Sequence, residues 1–368
     1  MRLLFVSLCG CNQLENSFSN EILRAVRVGM LRLTQKYLIL DELGRVENPS
    51  AQKKGKVALF KLSKHLGNPI IAPRPTCGWE VNGTFNPGAI LHDGTVHLLY
   101  RGVDENLISR LGYARITDGS QVVDRGTNPV LEPSTEWEEL GCEDPRITRL
   151  EGQFLITYTA YSKRGPRIAL ASSKDFTQFE KHGLVGPDRH DKDCVIFPER
   201  IDGKIAMLHR LESRVQIAYF DDLDALVDSG KYWEEYLTNF KAHEIMRGVS
   251  DWEQSKIGIG PTPLKTPRGW LVIYHGVSAE KVYRAGAVLL DLKDPRKILA
   301  RTREPILEPE TTFERRGIVP NVVFPDGAVV EGERLSVYYG GADRVCCVAS
   351  APVEEFLNEL ENSAKRNS

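Results

Sequence analysis

Residues 86–102 read NPGAILHDGTVHLLYRG. A proline leads a short apolar run, a Gly-containing turn follows, and a second apolar run ends in aromatic and polar residues, which is the patterning of a β-hairpin. The same plan recurs as DPRITRLEGQFLITYTA at 144–160, FPERIDGKIAMLHRL at 197–211, GPTPLKTPRGWLVIYHG at 260–276 and VPNVVFPDGAVVEGERLSVYYGG at 319–341. The lead prolines are Pro87, Pro145, Pro198, Pro261 and Pro320, a repeat of about sixty residues. Each copy runs on into a third apolar strand, seen as LGYARI, RIALASS, VQIAYF, YRAGAVLLDL and RVCCVAS. A fourth element recurs as NPIIAP (68–73), NPVLEP (128–133) and EPILEP (304–309), each followed by an aromatic–glutamate pair: Trp79-Glu80, Trp137-Glu138 and Phe313-Glu314. Five copies of four strands predict an all-β fold, a five-bladed β-propeller. A β-sandwich with chance similarity among its hairpins competes with it, and the regular period argues against the sandwich.

The remainder of the chain sets bounds on this core. Of 368 residues, 41% are hydrophobic and 27% charged, with a net charge of −2. That composition excludes a disordered chain and supplies no basic excess for non-specific nucleic-acid binding. Seven cysteines, two of them adjacent at Cys346 and Cys347, form neither a disulfide framework nor a paired metal pattern, so a reducing, cytoplasmic setting is expected. No apolar run is long enough to cross a membrane as a helix. The opening MRLLFVSLCGC is a poor export signal because its apolar stretch is interrupted; an ordinary buried segment or a start at Met30 competes with that reading. Residues 21–43 carry Ile22, Leu23, Val26, Met30, Leu33, Tyr37 and Leu38 in helical spacing ahead of Gly44, so an N-terminal helical extension over 1–65 is expected before a propeller over 66–356 and a C-terminal tail over 357–368. Residues 224–253 break the strand pattern between the third and fourth copies, as helix or long loop that could wall a site.

In a propeller the inner strands deliver side chains to one central mouth. The polar residues at matching points of the copies are Arg101, Asp144, Arg210, His275 and Asp343, with Asn86 heading the first copy. Singly, each has a dull explanation: a solvated strand end, a satisfied histidine, a turn-starting aspartate. Their recurrence in register argues for a shared site. The set is rich in cations, with Arg189, His190 and Lys192 adding to it. Ordinary glycosidases need two carboxylates, whereas a cationic site can hold a phosphate dianion in an arginine fork. Phosphate can then be the nucleophile, and one protein acid suffices.

The motifs NPGAI, YRGVD, GCEDPRI, DKDCVIFPERIDGKIAMLHR, IGIGPTPL, WLVIYHG, YRAGAVLLDLKDP and YYGGAD together resemble glycoside hydrolase family 130, the β-mannoside phosphorylases, over about residues 66–356. The resemblance implies a five-bladed propeller that reversibly phosphorolyses a manno-oligosaccharide with inversion, giving α-mannose 1-phosphate. It implies Asp144 as the catalytic acid, acting through the sugar's 3-hydroxyl. It further implies Arg189, Arg210 and His275 as phosphate ligands, and Asn86, Arg101 and Asp343 as mannose ligands. Inorganic phosphate is then a co-substrate, with no metal and no cofactor, no nucleic-acid or membrane partner, and self-association through the N-terminal extension as in some relatives. Two alternatives stay open: a hydrolase on the same fold pairing Asp144 with Glu143 or Glu199, and a propeller that only binds carbohydrate. Linkage and acceptor sugar are not legible in these motifs.

Overall fold

A computed structural model describes residues 60–365 of the chain. The helix expected within residues 21–43 and most of the expected extension lie outside the described residues.

Tight turns set the hairpins. Asp93-Gly94, Glu151-Gly152 and Asp202-Gly203 have positive φ at both residues (47° and 72°, 52° and 81°, 49° and 77°), the conformation of a type I′ turn, whose twist matches that of the strands it joins. The described chain enters the sheets at β1 (Ser63–Lys64). A first antiparallel unit follows, of β2 (Gly83–His92), β3 (Thr95–Val103), β4 (Ser109–Thr117) and β5 (Gln121–Arg125). The second unit is β6 (Gly141–Leu150), β7 (Gln153–Ser162), β8 (Gly165–Ser173) and β9 (Glu180–Leu184). A single parallel bridge, Ser109 to Gly141, joins these two into one eight-stranded sheet. The third unit is β10 (Lys192–Ile196), β11 (Ile205–Leu211), β12 (Arg214–Phe220) and, after helices α1 (Leu223–Val227) and α2 (Gly230–Thr238), β13 (Glu244–Met246). The fourth is β14 (Lys256–Ile259), β15 (Leu264–Thr266), β16 (Gly269–Val277), β17 (Tyr283–Leu290) and β18 (Ile298–Arg301). After the short α3 (Thr312–Arg315), the fifth takes β19 (Val323–Glu331), β20 (Arg334–Gly341) and β21 (Val345–Pro352), with β1 completing it beside β21. Helix α4 (Val353–Lys365) ends the described chain. The fold is all-β, and none of its sheets closes on itself.

Each unit buries apolar residues against the next. Leu99 and Leu111 meet Ile147 and Ile156 between the first and second units; Leu155 and Leu170 meet Ile196 and Ile205 between the second and third. Val195 and Leu208 meet Ile257 and Val272, and Leu271 and Ile273 meet Val323 and Leu335. A fifth cluster sets Leu98 and Ile116 of the first unit against Val329 and Tyr338 of the last. The strands are apolar on both faces because both faces are covered.

Several expectations shift in detail. NPIIAP, NPVLEP and EPILEP contribute not a fourth strand but one bridge each, Ile71 to Cys346, Leu131 to Leu111 and Leu307 to Ala285; the outer strands are β1, β5, β9, β13 and β18. The aromatic–glutamate pair has a fourth instance, Trp252-Glu253. All four glutamates are buried and accept from a tyrosine and a cation: Glu80 from Tyr100 (2.8 Å) and Arg125 (2.7 Å), Glu138 from Tyr158 (2.6 Å) and Lys181 (2.8 Å), Glu253 from Tyr274 (2.9 Å) and Arg301 (2.8 Å), Glu314 from Tyr339 (2.8 Å) and Lys64 (2.8 Å). A carboxylate so paired and hydrogen-bonded tolerates burial. The aromatic partner also explains two glycines: a Cβ at Gly102 would lie 2.2 Å from Trp79, and one at Gly276 2.5 Å from Trp252. Residues 353–365 form a helix that crosses the expected tail boundary at 357, because Phe356, Leu357 and Leu360 fill the cluster between the fourth and fifth units.

Candidate active site

The inner strand of each unit is interrupted at one level. In β2, β6, β10 and β19 the pairing register skips after Phe85, Glu143, Lys192 and Pro325. Such a β-bulge re-aims the extra residue. The residues displaced include Asn86, Asp144, Asp193 and Asp326; the first three have φ of 48°, 49° and 58°, the left-handed region that Asn and Asp tolerate better than other side chains. In the fourth unit Gly260-Pro261 separates β14 from β15. Pro87, Pro145 and Pro261 thus follow the interruption directly. Pro198 lies beyond β10 and Pro320 ahead of β19, so the third and fifth copies align on Asp193 and Asp326 and not on their prolines.

These bulges open on a cavity of about 110 Å³ whose lining includes Asn86, Arg101, Asp144, Lys192, Asp193, Arg210, Lys256, Tyr283 and Asp343. Asp144 is almost fully buried. Its Oδ1 accepts from Asn86 Nδ2 at 2.8 Å and from Arg101 Nη1 at 3.3 Å, and Lys192 Nζ stands 3.8 Å from Oδ2. Burial pushes this carboxyl up, but Arg101, Lys192, Arg146 and the Asn86 hydrogen bond together hold it below the usual carboxylate range. Arg101 also binds Glu143 (2.7 Å), donates from Nε to Ser109 Oγ at 2.8 Å and stacks over Phe85. Across the cavity Arg210 Nη1 lies 2.8 Å from Asp193 Oδ2. Asp343, at the turn between β20 and β21, is pushed up to about 6 by burial and by the charges of Asp144 and Glu143, against Arg101 and Lys192.

His275 lies behind the lining, fully buried, its ring 4.3 Å from that of Phe324 and its Nε2 3.7 Å from Asp193 Oδ2. Burial, with Arg210 and Lys256 nearby, holds the imidazole well below its usual pKa and therefore neutral. Neither ring nitrogen has a hydrogen-bond partner. Arg189 is not in this group: it is exposed and its guanidinium sits 5.9 Å over the ring of Phe240. Glu199 is exposed and paired with Lys265 at 2.6 Å. The 224–253 segment does not line the cavity; α2 packs Trp233 and Tyr236 into the core, and Tyr236 bonds His209, the neighbour of Arg210, at 2.9 Å.

Besides Asp193, three cavity or near-cavity groups had no role in the sequence reading. Lys256 and Tyr283 begin β14 and β17, and Lys256 Nζ stands 5.0 Å over the Tyr283 ring. Arg146, 1% exposed, is a hub: Nε donates to the Gly260 carbonyl (3.1 Å), Nη1 to the Asp144 carbonyl (2.7 Å), Nη2 to the Ile259 carbonyl (3.1 Å), with Asp326 at 2.8 Å and Asp193 at 3.4 Å. It ties the second, third, fourth and fifth units together beneath the cavity. Arg146 directly follows the lead proline Pro145 and so was within reach of the repeat alignment, whereas Lys256 and Tyr283 stand at strand starts that the repeat pattern does not mark.

One carboxylate held by amide and cations, facing a second group of cations, can give a proton to one ligand and hold an anion beside it. Residues 62–362 match the profile of glycoside hydrolase family 130, described as β-1,4-mannooligosaccharide phosphorylase. The chain belongs to glycoside hydrolase family 130. Among its family relatives, the 1,2-β-oligomannan phosphorylase of Thermoanaerobacter sp. (strain X514) is 41% identical over 309 residues, 81% of this chain and 99% of that protein. The β-1,2-mannobiose phosphorylase of the same organism is 37% identical over 301 residues, 77% of this chain and 95% of that protein. A solved family 130 structure, the β-1,2-mannobiose phosphorylase from Listeria innocua in complex with β-1,2-mannobiose, superposes with a TM-score of 0.70 at 29% identity, covering 82% of this chain and 99% of that one. No helix among the described residues is long and apolar enough to cross a membrane.

Proposed function

We propose that this protein phosphorolyses β-mannosides with inversion, releasing α-mannose 1-phosphate. The observation that carries the reading is the convergence of Arg210, Lys256 and Lys192 on the cavity that also holds Asp144. Those cations, with His275 behind them, stabilise a phosphate dianion. A phosphate oxygen forms the new bond to the anomeric carbon as the glycosidic bond breaks on the opposite face. Asp144 passes its proton to the sugar's 3-hydroxyl, whose own proton goes to the departing oxygen. Asn86, Arg101 and Asp343 hold the mannosyl unit. The Asp144 carboxyl must be protonated to do this, and entry of a phosphate dianion offsets the cations that depress its pKa.

The five units are read as blades of a five-bladed β-propeller, supported by the cyclic packing of the last unit on the first. The names of the two Thermoanaerobacter relatives favour a β-1,2 linkage in the substrate. A cytoplasmic setting fits the free thiols of Cys77, Cys142, Cys194, Cys346 and Cys347. Self-association through the N-terminal segment is carried over from the family resemblance alone. A hydrolase would need a second carboxylate as base; of the two the sequence offered, Glu143 is engaged by Arg101 and Glu199 is exposed and paired with Lys265.

The test is product analysis from β-1,2- and β-1,4-mannobiose with and without inorganic phosphate. Mannose 1-phosphate formed only with phosphate is expected, faster from the β-1,2 isomer. Equal cleavage to free mannose without phosphate would overturn the phosphorylase reading.

A further inference from the structure

The cationic side of the cavity contains a carboxylate that the proposed reaction does not use. Asp193 is 1% exposed and lines the cavity beside Arg210, Lys192 and Lys256. Its Oδ1 faces Arg146 Nη2 at 3.4 Å. Its Oδ2 is different: Arg210 Nη1 is an ion-pair neighbour at 2.8 Å and His275 Nε2 is at 3.7 Å, yet no donor is aligned to hydrogen-bond it. A buried carboxylate oxygen lacking a donor is costly to leave so.

We propose that Asp193 makes the site select phosphate over sulfate, its Oδ2 accepting a hydrogen bond from a P–OH of the bound anion. This rests on the reading of phosphate as co-substrate. Hydrogen phosphate keeps a proton at neutral pH, whereas sulfate has none. An ionised carboxylate only accepts, so it pairs with the first anion and both repels and remains unpaired against the second.

Three features suit Asp193 to this task. Its position is fixed by the bulge at φ 58°. Gly258 leaves it room, since a Cβ there would fall 2.1 Å from Oδ2. Its charge is also fixed: burial pushes the carboxyl up, but Arg210, Arg146 and Lys192 outweigh this and keep it well below the usual range. Those cations supply the affinity for any anion of this size. The carboxylate among them lowers that affinity for every such anion except one that brings its own proton.

The experiment measures phosphorolysis at neutral pH with phosphate varied and sulfate as competitor, for the wild type and Asp193→Asn. In the wild type the sulfate inhibition constant is expected on the order of 100-fold above the phosphate KM, because a site built to bind a hydroxyl rejects the analogue lacking it. In Asp193→Asn, whose amide can donate to either anion, the gap should close to about tenfold or less. Sulfate competing as well as phosphate in the wild type, or an unchanged ratio in the variant, overturns the proposal. A raised mannoside KM with the ratio unchanged would make Asp193 a sugar ligand instead. Should the variant not fold, the wild-type ratio decides. Should turnover need no phosphate, the proposed function fails by itself, and thermal shifts in phosphate against sulfate still report the selectivity: protection of the wild type by phosphate alone, extended to sulfate in Asp193→Asn, upholds Asp193's role, and equal protection of the wild type removes it.

Discussion

Asn86 Nδ2 donates to Asp144 Oδ1 at 2.8 Å, across 58 residues of sequence. Both side chains stand on bulges, one in the first unit and one in the second. The strand opposite Asp144 offers it no cation, since Glu143 pairs there with Thr159. Two of its cations come from other units: Arg101 from the first and Lys192 from the third. The ionisation of this carboxyl is therefore a property of three units at once.

Asp144→Asn is expected to lower kcat by about 10²–10⁴-fold, the usual contribution of a general acid, in a protein that remains folded by circular dichroism. Near-normal turnover would place the acid elsewhere, with Glu143 the next residue to change. Because bound phosphate counters Arg101 and Lys192, the Asp144 carboxyl should titrate at higher pH with phosphate than without. Carboxyl NMR titration reads this directly, and a fall or no movement would contradict it.

Lys256 gives a pH limb. Burial, then Arg210, push its ammonium down to about 8, so the cation is present below that pH and is lost as pH rises through it. The phosphate KM should climb above about pH 8, and Lys256→Arg should flatten the climb because a guanidinium stays charged. Saturating phosphate should move the limb to higher pH in kcat. A phosphate KM that is flat through pH 9 in the wild type would remove Lys256 from the anion's surroundings.

The Arg146 hub separates two aspartates that look alike in sequence. Arg146→Met should cost about 3–5 kcal/mol in urea unfolding, because it removes one of the cations paired with the buried, ionised Asp193 and the donor to the Asp144, Ile259 and Gly260 carbonyls. Asp326→Asn should cost about 1 kcal/mol or less; burial already holds that carboxyl well above the usual range despite Arg146, so its charge contributes less. Equal costs would show that Asp326 is ionised.

Arg189→Ala should leave the phosphate KM within about twofold of wild type, as for other exposed substitutions. Arg210→Ala should raise it about ten- to a hundredfold, the loss of a charge-assisted hydrogen bond. Equal effects would mean that the loop bearing Arg189 closes over the anion when it binds.

The repeat was legible because its determinants are local. Turn dipeptides such as Asp93-Gly94 and alternating apolar runs are written within a few residues, so hairpins and their period could be read directly. Asn86, Arg101, Asp144, Arg210 and Asp343 were found because strand ends recur in register, and they do meet at one cavity. Asp193, Arg146, Lys256 and Tyr283 were not found. The place of Asp193 depends on where the inner strand bulges, which is a matter of pairing with a partner strand, while Lys256 and Tyr283 meet the cavity from strand starts set by tertiary packing. Proline marks the bulge in the first, second and fourth copies; in the third its place is taken by Cys194, and alignment on Pro198 concealed Asp193. Arg189, basic and close in sequence to Lys192, does not line the cavity; it is exposed, over the ring of Phe240.

The fifth sheet draws Ser63 and Lys64 from one end of the described chain and pairs them with Ser350 and Ala349 at the other. A ribosome delivers these partners in order, first to last, so β1 waits for almost the whole chain before it has anything to pair with. The same sheet supplies Phe324 and Asp343 to the cavity. Long-range pairing of this kind forms late, and here the late step and the completion of the cavity coincide. A nascent chain halted before β19 holds Asp144 and Arg210 without Phe324 and Asp343, and so without the complete cavity.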